Sequence, residues 1–88
     1  MRIKSGCKLR EMAGEWVVIT PGKAGVDLTR IVTLNPTSRL LWQELGSEEF
    51  SVEDVADILC RNFDVEREFA LKDAQSWVLK LKSAELLD

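Results

Sequence analysis

The sequence contains no histidine and only two cysteines among its 88 residues. Without an imidazole, the chain cannot use histidine for general acid–base or Ser-His catalysis, and zinc sites with mixed Cys/His ligands are excluded as well. The two cysteines, Cys7 and Cys60, lie far apart and lack the CxxC spacing of a metal or redox site. We expect reduced, half-buried thiols in a cytoplasmic protein, and a disulfide is the alternative.

Long apolar runs are also missing. No segment approaches the roughly 20 apolar residues of a membrane span, and the opening "MRIKSGCKLRE" has charges but no apolar signal-peptide core. A glycine-rich phosphate loop and a plausible pair of nucleophile and base are absent too. We therefore predict that the protein is not an enzyme and has no catalytic residues, no metal site and no cofactor.

The composition is otherwise ordinary for one globular domain, which we expect to span residues 1–88: 45% of the residues are hydrophobic and 31% are charged. The net charge of −3 disfavours nucleic-acid binding. Six basic and three acidic residues give residues 1–35 a charge of +3, whereas six basic and twelve acidic residues give residues 36–88 a charge of −6. This asymmetry favours a partner that binds in one orientation.

Three short strands are predicted before Asn35. The segments "CKLREM" and "EWVVIT" flank a turn at Ala13-Gly14, and "LTRIVTL" follows a loop rich in glycine. In the third strand, residues 28–34, alternation places Leu28, Arg30, Val32 and Leu34 on one face and Thr29, Ile31 and Thr33 on the other.

Three helices are predicted after the strands. Asn35 is a preferred N-cap with Pro36 at the first helical position, and Gly46 is typical of the end of that helix. Ser51 and Asp54 have the spacing of a capping box for the second helix. For the third helix we expect Asp64 as the cap, and its apolar residues at helical spacing are Phe69, Ala70, Ala74, Trp77, Val78 and Leu81.

A run of strands followed by a run of helices is typical of an α+β fold. We expect a three-stranded antiparallel sheet at the N-terminus followed by a three-helix bundle. This order is winged-helix-like, with the wing at the N-terminus.

The segments "LNPTSRLLW", "SVEDVADIL", "FDVERE" and "DAQSWVLKLKSAELL" resemble the PqqD-like family, the pyrroloquinoline quinone biosynthesis protein D group. The resemblance extends from about Leu9 to Leu87. It implies a module that recognises the leader segment of a ribosomally made and later modified precursor peptide. Such a module presents the peptide to a modifying enzyme, for which a radical SAM enzyme is one candidate.

The resemblance also implies how the peptide binds. In the family the leader adds as an extra strand beside the third strand and lies against the third helix, so that main-chain hydrogen bonds supply affinity and side-chain pockets supply selectivity. Carried onto this sequence, the strand residues of the site are Leu28, Thr29, Arg30, Ile31, Val32, Thr33 and Leu34. The helix residues of the site are Phe69, Lys72, Asp73, Ser76, Trp77 and Lys80.

Several of these residues have a second interpretation. Trp77 either lines a groove beside the third strand or is fully buried. Lys72, Asp73 and Lys80 either recognise charged leader residues or form a solvated helix face. Trp42 is expected in the core, and Trp16 either packs in the sheet or contacts a partner.

A winged-helix DNA-binding regulator is the alternative function. Its recognition helix would be the third one. That segment contains four basic residues (Arg67, Lys72, Lys80 and Lys82) and three acidic ones (Glu66, Glu68 and Asp73). A net charge of +1 would neutralise phosphates poorly. A homodimer is also possible, because an edge strand that accepts a peptide can accept a second copy of itself.

Overall fold

The protein folds as a small sheet followed by three helices, in a computed structural model that describes residues 1–20 and 30–88. The strands are β1 (Lys8–Met12), β2 (Glu15–Thr20) and β3 (Arg30–Leu34). The helices are α1 (Pro36–Leu45), α2 (Val52–Asn62) and α3 (Arg67–Ser83). This order confirms the predicted α+β architecture. Of the predicted third strand, Leu28 and Thr29 lie outside the described residues.

The sheet is antiparallel and its strands follow one another in the order β1-β2-β3. The turn between β1 and β2 is tight, because Ala13 and Gly14 both have positive φ values, 52° and 83°. Two such residues in succession are typical of the type I′ turn, whose twist matches that of a two-stranded hairpin. The hairpin predicted at Ala13-Gly14 is therefore confirmed.

Local chemistry sets the start of the first two helices. The Asn35 side chain caps α1 by accepting a hydrogen bond from the Ser38 amide at 2.7 Å, and Pro36 occupies the first position. At α2, the Asp54 amide donates to Ser51 Oγ at 3.2 Å while the Ser51 amide donates to Asp54 Oδ2 at 2.9 Å. Both predicted caps are confirmed.

The predicted cap of the third helix is wrong. Glu66 is the N-cap of α3 and makes no side-chain capping bond, so Asp64 lies two residues before the cap. The segment between the helices turns through a hydrogen bond from the Val65 amide to the Phe63 carbonyl at 2.9 Å. With this turn in place, the cap of α3 lies two residues later than predicted. Of the apolar residues predicted at helical spacing on α3, Phe69 is not buried, since 53% of it is exposed.

One apolar core lies between the sheet and the helices. Leu41, Val55 and Leu86 are among its least exposed side chains, and Trp42 is buried there as expected. Helix α2 packs along α3, and an ion pair between Asp57 and Arg67 joins them at the surface. The hydrogen bond with Asp57 raises the pKa of Arg67 above its ordinary value.

The two ends of the chain pair with each other and close the core on one side. Ile3 forms an antiparallel bridge with Leu87, and the Lys4 amide donates to the Leu86 carbonyl at 2.8 Å. Next to the paired chain ends, the pKa of the Cys7 thiol is raised above its ordinary value, mainly because the thiol is partly buried. The nearby Lys4 cation lowers this pKa and the Asp88 carboxylate raises it, but both effects are smaller than that of burial. Both cysteines are free and half-buried.

Candidate functional site

Strand β3 lies at one edge of the sheet. Its inner side pairs with β2 in a continuous register that runs from Thr20 opposite Arg30 to Trp16 opposite Leu34. Among residues 1–20 and 30–88, no strand pairs with the opposite edge of β3. Part of the backbone N–H and C=O groups of β3 therefore point away from the sheet and can pair with another chain.

The two faces of β3 differ as the alternation predicts. On the face that covers the core, Val32 is half-buried and Leu34 is buried. On the outer face, Thr33 is exposed and Ile31 is 57% exposed, an unusual position for a large apolar side chain on an edge strand. The strand thus offers an edge that no strand in the described part of the chain occupies, and an apolar side chain next to that edge.

The junction from β3 to α1 is rigid. Besides its side-chain cap, Asn35 accepts a hydrogen bond from the Arg39 amide through its carbonyl at 2.9 Å. The Arg39 guanidinium then lies 4.7 Å from the centre of the Trp16 ring, a cation–π contact that ties α1 to β2. Because both contacts lie at the end of β3, they fix the direction of the strand relative to the helices.

Trp77 connects α3 to this junction. Its indole Nε1–H donates to Ser38 Oγ at 3.1 Å, and only 8% of the residue is exposed. The structure therefore favours burial over an open groove for this side chain. Ser38 is the third residue of α1, so the bond joins α3 to the first turn of α1, which follows β3 through Asn35.

The other residues predicted on α3 form an exposed stripe next to Trp77. Asp73 precedes Trp77 by four positions and Lys80 follows it by three, a spacing that puts all three on adjoining parts of the helix surface. The residues of this stripe, all exposed, are Phe69, Lys72, Asp73, Ser76 and Lys80. The structure thus brings the helix part of the predicted site together on one side of α3.

The comparisons with known proteins agree with this architecture. A model of the family described as coenzyme PQQ synthesis protein D (PqqD) matches residues 15–87. The chain belongs to the PqqD family. The predicted resemblance is therefore confirmed over residues 15–87, which include β2, β3 and the three helices, whereas β1 (Lys8–Met12) lies before the matched residues.

A solved structure of TbiB1 in complex with the TbiA(beta) leader peptide has the same fold as this PqqD-family chain. The TM-score is 0.75 with 22% sequence identity, and the match covers 100% of this chain and 95% of that one. A comparison with curated proteins found no match.

The PqqD fold of this chain also carries surface features that the sequence did not point to. Leu79 is 62% exposed and lines a shallow depression of about 530 Å³ on α3, together with Ser76 and Lys80. Only its exposure marks it, because helical spacing alone does not separate Leu79 from core leucines.

Two further depressions lie away from the stripe on α3. One, of about 600 Å³, lies at the end of β3 between Trp16 and Arg39, whose Nε is buried without a hydrogen-bond partner among the described residues. The other, of about 700 Å³, lies between α1 and α2 and is rich in carboxylates. Its acidic lining residues are Glu44, Glu48, Glu49, Asp54 and Asp57.

The described part of the chain contains neither a metal-binding cluster nor a membrane-spanning helix. Residues 1–20 and 30–88 contain no group of three or more cysteine or carboxylate side chains placed to hold a metal ion. None of the helices α1 to α3 has both the length and the apolar composition needed to cross a membrane.

Proposed function

We propose that this PqqD-family chain is a recognition module for the leader segment of a ribosomally made precursor peptide. The leader adds as a fourth strand to the free edge of β3 and lies against α3, and the module presents the bound peptide to a modifying enzyme. A radical SAM enzyme is the candidate for that partner. The proposal rests on the edge of β3 with which no strand pairs among residues 1–20 and 30–88, and on the Asn35 cap and the Trp77–Ser38 hydrogen bond, which connect the end of β3 through α1 to α3.

The energetics of strand addition suit this surface. A rigid edge strand loses little conformational entropy when a peptide pairs with it, so the main-chain hydrogen bonds contribute to affinity. Specificity then depends on side chains on either face of the added strand. On the helix side, Lys72 and Lys80 would meet acidic leader residues, and Asp73 would meet a basic side chain or a backbone N–H. The similarity in fold to TbiB1, whose solved structure contains a leader peptide, supports this arrangement.

The proposal assigns binding and no chemistry of its own to the chain. The absence of histidine from the sequence supports that division of labour with an enzyme partner. A cytoplasmic location is part of the proposal, and the two free cysteines are compatible with a reducing compartment.

An NMR titration tests the proposed function. Isotope-labelled protein is titrated with the leader segment of the precursor peptide encoded beside its gene, and with a short DNA duplex in parallel. We expect saturable shifts of backbone amides in Arg30–Leu34 and along residues 69–80 with the peptide alone. Silence with the peptide, together with salt-sensitive shifts on α3 with DNA, would contradict the proposal and favour a regulator.

Self-association is checked in the same samples. Two copies that paired through β3 would occupy the edge that the leader needs, so sedimentation velocity before and after peptide addition shows whether a dimer competes with the leader.

A further inference from the structure

The register of the sheet places two apolar side chains, Ile19 and Ile31, next to each other in one row on its outer face. Lys8 of β1 lies opposite Ile19 of β2, and Ile19 lies opposite Ile31 of β3. Residues that are directly opposite share a face, so the three side chains run side by side across the sheet. Ile19 is half-buried in the middle of this row, whereas Ile31 ends it at the edge with 57% of its surface exposed.

The neighbouring row ends differently. Arg10, Val17 and Thr33 lie opposite one another in the same way, and Val17 is buried while Thr33 is exposed. The edge of β3 therefore presents an apolar side chain at Ile31 and a polar one at Thr33, two residues further along. A strand added to this edge meets a different surface at each of the two positions.

An added strand continues both rows. Its residue opposite Ile31 must lie on the outer face, with its Cβ roughly 4.5–5.5 Å from that of Ile31. Its residue opposite Thr33 lies on the same face, whereas the residues between and beside them lie on the face that covers the core. The outer face thus provides a contact separate from the exposed stripe on α3.

We propose that Ile31 is a specificity-determining residue of the peptide site, which selects an apolar side chain, preferably β-branched or aromatic, at the leader position opposite it. This inference rests on the proposed strand addition and adds a requirement to it. The selected side chain extends the row of Ile19 and Ile31 and covers apolar surface that is otherwise in water. The leader position opposite Thr33 tolerates polar residues, because the exposed side chain that it meets there is polar.

A solitary exposed isoleucine needs no explanation in a folded protein. Ile31 differs because it continues a row whose next member is also apolar and because it lies on an edge that can accept a strand. Met12 supplies the comparison within the same molecule. It is 47% exposed and lies on the same face, but on β1 at the opposite edge of the sheet.

Binding of the leader segment encoded beside the gene is measured by isothermal titration calorimetry for wild type and three variants. Ile31→Thr keeps the β-branched shape and removes apolar surface, so we expect the Kd to rise about threefold to fivefold. Ile31→Val keeps both properties and should stay within about twofold of wild type. Met12→Thr, the matched control on the far edge, should also leave the Kd within about twofold. The amide spectrum of each free variant checks that it is folded.

The leader position is found from nuclear Overhauser contacts to the Ile31 methyl groups, and that leader residue is then changed to serine. Wild type should lose about threefold to fivefold in affinity with the altered peptide, whereas Ile31→Thr should lose less than twofold, because the partner side chain is already gone. Serine at the position opposite Thr33 should have little effect on either protein.

The outcomes separate this inference from the proposed function. If the leader binds wild type and Ile31→Thr equally well, or if the two serine peptides lose affinity equally, the selective role of Ile31 is overturned and strand addition stands. If the leader does not bind wild type at all, both are overturned.

Discussion

Trp77 joins two parts of the candidate site through one hydrogen bond. The indole N–H is a donor that has lost most of its access to water, and Ser38 Oγ accepts its hydrogen bond. A buried donor without a partner costs more than the bond itself contributes, because its desolvation is no longer offset. Ser38 therefore holds α3 against the first turn of α1, the helix that follows β3.

Ser38→Ala should lower the free energy of unfolding by about 1–2 kcal/mol, since it leaves the Trp77 N–H without its acceptor. Urea denaturation measures the change, and the Trp77 indole resonance reports the lost bond. Ser83→Ala, an exposed position at the end of α3, is the control and should stay within about 0.5 kcal/mol of wild type. A Ser38→Ala protein as stable as its control would show that the hydrogen bond does not hold α3.

For single residues, the sequence predicted which face of a strand a side chain lies on better than how deeply a side chain is buried. The alternation of Ile31 and Thr33 against Val32 and Leu34 could be predicted because a strand has a period of two. The burial of Trp77 could not, because helical spacing gives a direction around the axis and not a distance from solvent. Its partner Ser38 is 39 positions away in the chain, so only the fold brings them together.

The three helices differ in how their first turns are held. Helix α2 has a reciprocal capping box between Ser51 and Asp54, whereas α3 begins at Glu66 without any side-chain cap. The extended backbone of Glu66, with φ −68° and ψ 147°, is suited to a residue whose side chain could cap. The start of α3 is therefore the less stabilised of the two.

Opposite effects are expected from serine removed at one helix and added at the other. Ser51→Ala should lower the free energy of unfolding by about 1 kcal/mol, because the Asp54 amide loses its acceptor. Glu66→Ser should raise it by roughly 0.5–1 kcal/mol, because a hydroxyl can then accept from the first turn of α3. Urea denaturation of both variants checks the signs. A loss of stability in Glu66→Ser would show that the present first turn needs no cap.

Caps could be predicted from the sequence where the capping chemistry is local and unambiguous. The starts of α1 and α2 are marked by Asn35-Pro36 and by the pair Ser51 and Asp54. Each of these caps satisfies backbone donors within three residues. Asp64 offered the same chemistry, yet the turn after Phe63 places it before the helix starts. The sequence pattern around Asp64 does not indicate that turn.

In the whole molecule, the junction at Asn35 connects β3 to α1, and the Trp77–Ser38 hydrogen bond connects α1 to the helix that carries the exposed stripe, α3. The order of strands and helices followed from the change in periodicity at Asn35. The pairing of Ile3 with Leu87 did not, because two residues at opposite ends of the chain carry no local signal of contact. The same limit applies to the acidic depression between α1 and α2, whose five carboxylates converge only in the fold.

Strand addition at β3 is the central claim, and a backbone scan of the ligand tests it most directly. The leader segment is synthesised with a single N-methyl group at successive positions, which deletes one N–H donor at a time and leaves the protein unchanged. In a strand, alternate N–H groups point to the partner and away from it. We predict that the Kd rises about tenfold at every second position across the five residues that face Arg30–Leu34 and changes little at the positions between. A uniform effect, or none, along the peptide would contradict strand addition.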